Sequence, residues 1–160
     1  MSNKLILVIT SLFFVSIYFA NTISNNDQPI IEIGAYNIRQ NNEGNYLIDI
    51  YSVNHKPIAG IQFKLLGEDF EILKVDGGRA SRVGFQFYIG KKGVILAFSL
   101  EGKTVSAVDE MFKKMNPLLT LTVKKKSNEA SEFNLQTLIA GEKGVKLESS
   151  FIPFSIDVKK

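Results

Sequence analysis

The 160 residues have the composition of one globular domain, because 45% are hydrophobic and 22% are charged, which excludes a disordered or collagen-like chain. The net charge is +3 without a concentrated basic stripe, so nucleic acid is not an expected partner. Cysteine is absent, which excludes disulfides, thiolate nucleophiles and thiolate metal ligands.

Residues 1–24 have the pattern of a signal peptide. Lys4 precedes an apolar run at residues 5–20, and small residues that permit cleavage follow at Ala20, Thr22 and Ser24. The run has 16 residues, fewer than the about 20 that span a bilayer, but its cleavage positions are imperfect, so an uncleaved anchor is the alternative. In both cases we expect the domain to be secreted, extracellular or on the cell surface, with membrane contact only through an uncleaved leader.

From Pro29 onward, apolar residues recur at every second position in short runs separated by Gly, Asn, Asp and Lys, a pattern typical of β-strands. The predicted strands are residues 30–38, 46–53, 58–66, 70–75, 84–89, 94–100, 118–124, 133–139 and 152–158. Nine short strands predict an all-β, two-sheet sandwich for residues 25–160.

One segment departs from the strand pattern. Residues 106–115 begin with Ser106 as a candidate cap, carry acidic residues in the first turn and lysines in the last, and precede Asn116 and Pro117. These features predict a short helix. The apolar side of this helix is expected to plug the rim of the sandwich. It consists of Val108, Met111, Phe112 and Met115.

Four segments, taken in order, resemble cohesin-like domains. They read PIAGIQFKL at 57–65, VDGG at 75–78, GVILAFS at 93–99 and LLTLTV at 118–123. The resemblance implies a jelly-roll sandwich of about nine strands, related to carbohydrate-binding modules. Its signature positions in this chain are Gly60, Gln62, Phe63, Gly77, Gly78, Phe98, Ser99 and Leu119.

The resemblance also implies a function. Cohesin-like domains bind the dockerin module of another protein, and related sandwiches bind polysaccharide. The sequence contains one such unit without a dockerin motif, so we expect a stand-alone module that docks a dockerin-like or surface protein. A carbohydrate-binding module and a structural subunit of a surface layer, fibre or virion are the alternatives.

Catalysis and metal binding lack their usual residues. The only histidine, His55, lies in a predicted turn, and nucleophilic catalysis needs a base beside the nucleophile. The neighbouring carboxylates at 68–71 and 109–110 occupy a turn and the start of the predicted helix, where acids are normally solvated or capping. We therefore expect no enzyme activity, no cofactor and no metal.

A candidate binding face follows from the alternation of side chains along strands. If the apolar residues of strands 46–53, 58–66 and 84–89 face the core, their neighbours point outward: Asp49, Tyr51, Gln62, Lys64, Gln86 and Tyr88. In one sheet, these residues form a flat face suited to stacking sugars or receiving a protein. Ordinary solvent-side positions are the alternative reading. The absence of tryptophan favours protein over polysaccharide.

Overall fold

Eleven strands make up most of the computed structural model, which describes residues 30–157. The predicted leader therefore lies outside the described residues. The strands are β1 Ile31–Gln40, β2 Tyr46–Val53, β3 Gly60–Leu66, β4 Phe70–Asp76, β5 Gln86–Ile89, β6 Val94–Phe98, β7 Leu119–Lys125, β8 Ser131–Ala140, β9 Lys146–Leu147, β10 Ser149–Phe151 and β11 Phe154–Ile156.

The strands form two sheets. The first sheet has the order β10-β1-β2-β7-β4, and the second has the order β11-β8-β3-β6-β5, with β9 added beside β8. The pairing of β1 with β10 is parallel, and the other pairings of the described strands are antiparallel. The predicted two-sheet jelly-roll sandwich is confirmed.

The core lies between the sheets and follows the predicted period of two. In β3, Ile61, Phe63 and Leu65 are buried, whereas Gln62 and Lys64 are exposed. Fully buried partners from both sheets complete the core, among them Ile48, Ile50, Ile95, Leu119, Leu121, Phe133 and Ile139. Burying this many large side chains is the main stabilising contribution, because a fully buried Leu or Phe contributes about 1.5–3 kcal/mol.

Each of the nine predicted strands corresponds to an observed strand, and two further short strands, β9 and β10, were not predicted. The predicted helix at 106–115 is wrong. That segment forms a loop with a single 3-10 turn, Glu110–Phe112. Val105 and Val108 each form an isolated β-bridge with the segment that links β2 and β3, so the backbone is extended where the helix was expected to begin.

Of the four apolar residues expected to plug the rim, only Val108 is half-buried. Met111 is 82% exposed, and Phe112 and Met115 are also exposed. The short helix of the fold lies elsewhere, at Gly78–Arg82 (α1). Within residues 30–157, no helix has the length and apolar character needed to cross a bilayer.

Candidate functional site

The structure divides the predicted binding face between the two sheets. Asp49 and Tyr51 lie on β2 in the first sheet, whereas the other four residues lie on β3 and β5 in the second: Gln62, Lys64, Gln86 and Tyr88. The outer faces of a sandwich point in opposite directions. The prediction of one face containing both tyrosines is therefore wrong, because its strands do not share a sheet.

Tyr51 is packed into the fold. Only 6% of it is exposed, and its hydroxyl donates a hydrogen bond of 2.8 Å to Glu32 Oε1. Its ring lies against Gly34, where an added Cβ would come within 2.7 Å of the ring, and Lys113 Nζ sits 4.7 Å from the ring centroid. Burial, followed by the bond to Glu32, raises the pKa of Tyr51. No open ring face is left for a sugar.

Asp49 is the acceptor of a hydrogen-bond network on the first sheet. Arg39 Nη1 donates at 2.8 Å, and the side chains of Asn37 and Thr120 each donate at 2.7 Å. Asn37 has φ +50° at the irregularity in the pairing of β1 with β2, which places its amide toward Asp49. Burial raises the pKa of Asp49, but the bonds from Arg39, Thr120 and Asn37 outweigh it, so the pKa lies below its ordinary value.

The substitution Asp49→Asn is expected to lower the free energy of unfolding by about 1–2 kcal/mol near neutral pH. Because the pKa is lower in the folded state, this stability is present above the ordinary Asp pKa of about 3.9 and is lost as pH falls through the folded value. The deficit of the variant should therefore shrink below about pH 4. Urea unfolding of the wild type and of the Asp49→Asn variant at pH 7 and pH 3 measures this deficit.

Asp76→Asn is the matched control. Asp76 pairs with Lys74 at 2.5 Å, but both side chains are roughly half exposed or more. An exposed ion pair contributes about 0–1 kcal/mol, so this variant should unfold close to the wild type at both pH values. Equal losses for the two variants would show that the network around Asp49 has no special weight.

The outer face of the second sheet carries a group of large apolar side chains. In register, Leu138 lies opposite Gln62, Gln62 opposite Leu96, and Leu96 opposite Tyr88, which forms one row across four strands. Phe98 lies beside this row and stacks on Tyr88, with ring centroids 5.6 Å apart and ring planes 20° apart. The four large apolar side chains are 36–46% exposed. We call these five residues the apolar face.

The sequence of β6 explains why this face is apolar. Its five residues, Val94–Phe98, are all apolar, so alternation buries Ile95 and Ala97 and leaves Leu96 and Phe98 outside. In an antiparallel sheet one face is commonly packed on the core and the other is solvated, so a strand that is apolar on both sides departs from the usual pattern. A contiguous exposed apolar patch with a polar rim marks an interaction surface.

Polar side chains lie along part of the margin of the apolar face. Tyr88 donates a hydrogen bond of 2.6 Å from its hydroxyl to Gln86 Oε1, and Lys64 and Gln136 lie opposite each other in the row beyond Gln62. The face has the apolar centre and polar rim of a protein interface. Of the six residues predicted for the binding face, Gln62 and Tyr88 belong to the apolar face, and Lys64 and Gln86 lie at its margin. Sequence reasoning did not predict a binding role for the other three members of the apolar face: Leu96, Phe98 and Leu138.

The eight signature positions all have identifiable places. Phe63 and Leu119 are fully buried, and Gly77 and Gly78 adopt positive φ at the start of α1. The remaining positions lie on the outer side of the second sheet or directly after β6: Gly60, Gln62, Phe98 and Ser99.

The residues considered for catalysis are dispersed. His55 is exposed in the β2–β3 connection, and the acidic residues are exposed at three places: Glu68 and Asp69 in the β3–β4 turn, Glu71 at the start of β4, and Asp109 and Glu110 in the β6–β7 segment. Across residues 30–157, no three His, Asp or Glu side chains are grouped so that they could hold a metal ion.

Comparisons with known proteins show which solved structures have a similar fold. No family model matches the chain, and a search of curated proteins found no match. A non-cellulosomal cohesin from Archaeoglobus fulgidus is 13% identical, with a TM-score of 0.55 over 79% of this chain and 89% of that chain. The third ScaB cohesin of R. flavefaciens, solved with a group 1 dockerin, is 14% identical, with a TM-score of 0.57 over 84% of this chain and 98% of that one.

The OlpC cohesin of Clostridium thermocellum, solved with the dockerin Doc435, is 13% identical, with a TM-score of 0.55 over 82% of this chain and 95% of that chain. The fold is cohesin-like. Identities of this size carry no information on which side chains bind. Which surface of this cohesin-like sandwich binds a partner therefore depends on the side chains of this chain. Among the described residues, the apolar face is the most distinctive surface.

Proposed function

We propose that this chain is an exported, noncatalytic module that binds another protein through the apolar face. One observation carries the proposal: four large apolar side chains lie together, partly exposed, on the outer side of the second sheet. Burying such side chains against a partner is favourable, at about 25 cal/mol for each Å² of apolar surface removed from water.

The first sheet offers no comparable surface around β2. There Asp49 and Tyr51 are buried and hydrogen-bonded, and Lys113 lies over the ring of Tyr51. The polar side chains that the fold brings together at this sheet are occupied in stabilising it. This contrast supports docking on the second sheet and a noncatalytic role.

The comparisons support a protein partner. Two of the similar cohesins, ScaB and OlpC, were solved in complex with dockerins. We extend this to the present chain as a proposal about partner class, a dockerin-like or surface protein. Export rests on the leader pattern at residues 1–24.

Polysaccharide is the weaker candidate ligand. The sugar hypothesis relied on two tyrosines on one face, and Tyr51 is both buried and on the opposite sheet. The remaining tyrosine, Tyr88, already stacks on Phe98. The apolar face therefore favours a protein over a sugar chain.

The test uses a face variant and a matched control. The immobilised chain is exposed to the extracellular fraction of the producing cells, and the recovered partner is titrated against purified variants. Leu96→Asp combined with Leu138→Asp should weaken binding at least about tenfold, because charges would be buried at the centre of the interface. Leu73→Asp, at an equally exposed leucine on β4 of the other sheet, should bind like wild type.

Two results would contradict the proposal. Equal binding by all three proteins would remove the apolar face from the interface. Repeated recovery of no partner, together with binding to insoluble polysaccharide that Tyr88→Ala abolishes, would favour the carbohydrate alternative.

A further inference from the structure

Two connections at one end of the sandwich carry exposed apolar side chains among charged ones. Five side chains there are at least 50% exposed, in the segment between β6 and β7 and in the turn between β8 and β9: Leu100, Met111, Phe112, Met115 and Val145. Large apolar side chains at loop tips, rather than on strands, have no neighbouring strand to cover them. We call these five residues the apolar tip.

The apolar tip lies at the end where the described chain begins. β1 starts at Ile31, whose backbone N–H donates to the carbonyl of Glu148 at 2.8 Å, close to the β8–β9 turn. Next to it, Glu32 accepts from Lys113 Nζ at 2.9 Å, in the middle of the β6–β7 segment. Residue 30 and the apolar loops therefore share one end of the molecule.

The opposite end has a different composition. Its connections are residues 41–45, 67–69, 90–93 and 126–130, and none of them contains a large apolar residue. They consist of Asn, Gly, Lys, Glu, Asp, Ser and Ala. Exposed loops in water are normally polar, so the tip differs from the ordinary end of this same sandwich.

Lys113 holds residues 110–113 of the β6–β7 segment against the first sheet. Its Nζ binds the carboxylates of Glu32 and Glu110 and lies over the ring of Tyr51, and the bonds to Glu110 and then Glu32 raise its pKa. Lys114 is exposed and has no carboxylate within 4.0 Å in the described part of the chain. A free lysine among apolar side chains is typical of segments at a lipid surface, where the stem is buried and the ammonium stays in water.

We propose that the apolar tip rests on a phospholipid bilayer in the chain that retains residues 5–20. Only nine residues, 21–29, separate that uncharged apolar run from residue 30. Fully extended, they span at most about 30 Å. A run held in a membrane would thus keep residue 30, and the end of the sandwich at which it lies, within about 30 Å of the lipid. The inference rests on the proposed export but not on the apolar face.

The absence of native cysteine allows a single-probe test. Met111→Cys in the full chain carries an environment-sensitive NBD dye, and the protein is reconstituted in phosphatidylcholine and phosphatidylglycerol vesicles containing nitroxide-labelled lipid. Glu43→Cys, in the β1–β2 turn at the polar end, carries the same dye as the control. We expect blue-shifted emission and at least about twofold stronger lipid quenching at position 111 than at position 43.

A second variant separates lipid contact from tethering alone. Phe112→Asp with Met115→Asp in the Met111→Cys chain should abolish the blue shift and reduce quenching at position 111 at least about twofold, because only the tip is changed; unchanged quenching would show that the tether alone brings this end to the lipid. Equal quenching at both positions in the unaltered tip would overturn the proposal. So would a blue shift without lipid quenching, which indicates that protein, such as a second copy, covers the tip. Neither result affects docking through the apolar face, which the partner titration decides separately.

Discussion

Replacing Gly78 by Ala is expected to lower the free energy of unfolding by about 3–5 kcal/mol, a large part of the stability of a domain of this size. Gly78 has φ +67°, a conformation that L side chains rarely adopt. An added Cβ would lie 2.4 Å from the carbonyl oxygen of Leu118 and 2.6 Å from that of Pro117. These are backbone atoms, so the contact cannot be relieved by rotating a side chain.

The same two carbonyls hold α1 against the sheet. The N–H groups of Arg79 and Ala80 donate to Pro117 and Leu118 at 2.8 and 3.0 Å. Making room for a Cβ at Gly78 would lengthen both bonds and move the residues just before β7. The loss therefore combines backbone strain with two weakened hydrogen bonds.

Gly44→Ala is the control for conformational strain alone. Gly44 has φ +79°, but no atom lies within 4 Å of the position of an added Cβ. Its substitution should cost about 1 kcal/mol. Urea unfolding followed by circular dichroism measures both variants. If the two losses were equal, the close approach of α1 to residues 117–118 would carry no energetic weight.

The strands could be predicted because their signal is local. Where one face is buried, apolar residues occupy alternate positions, and the bounds predicted for β2, 46–53, agree with the structure. β9 and β10 have two and three residues, too few for a pattern. β10 forms because it pairs with β1 from the other end of the described chain, a contact with no local signature.

The helix prediction failed because tertiary contacts override local propensity. The segment 106–115 has suitable caps and charges, but bridges to the β2–β3 connection extend its start, and Lys113 is drawn to Glu32 and the ring of Tyr51. α1, in contrast, has no apolar period and depends on hydrogen bonds to distant carbonyls. The loop at 106–115 and the helix α1 both depend on contacts with distant residues, so neither can be predicted from its own sequence.

The candidate site was predicted in part for a related reason. Alternation correctly sent Gln62 and Tyr88 outward, but it does not reveal which strands are neighbours. In this sandwich β2 joins β1 and β7, whereas β3, next in the chain, belongs to the other sheet. The apolar face had a detectable signal in the sequence, because β6 is apolar at inward and outward positions alike. That pattern indicates an exposed apolar surface only when the strands beside β6 are known.

A buried arginine connects α1 to the rest of the fold. Arg79 Nη2 donates to Ser52 Oγ at 2.6 Å and to Asn54 Oδ1 at 3.3 Å, and Nη1 donates to the carbonyl of Ser106 at 3.0 Å. All three acceptors are neutral, and burial lowers the pKa of Arg79 to about 10, so it remains charged at neutral pH. One side chain thus joins α1, the end of β2 and the β6–β7 segment.

Arg79→Ala is expected to lower the free energy of unfolding by about 2–4 kcal/mol, because it leaves buried acceptors unpaired and removes the packing of a long stem. Arg82→Ala, in the same helix, removes an exposed side chain bonded to Asn116 and should cost no more than about 0.5 kcal/mol. Arg79→Lys keeps the charge but not the planar fork, so it should also destabilise the protein. Thermal unfolding of the three variants separates the cases, and an Arg79→Lys variant as stable as wild type would mean that charge, and not geometry, is what α1 requires.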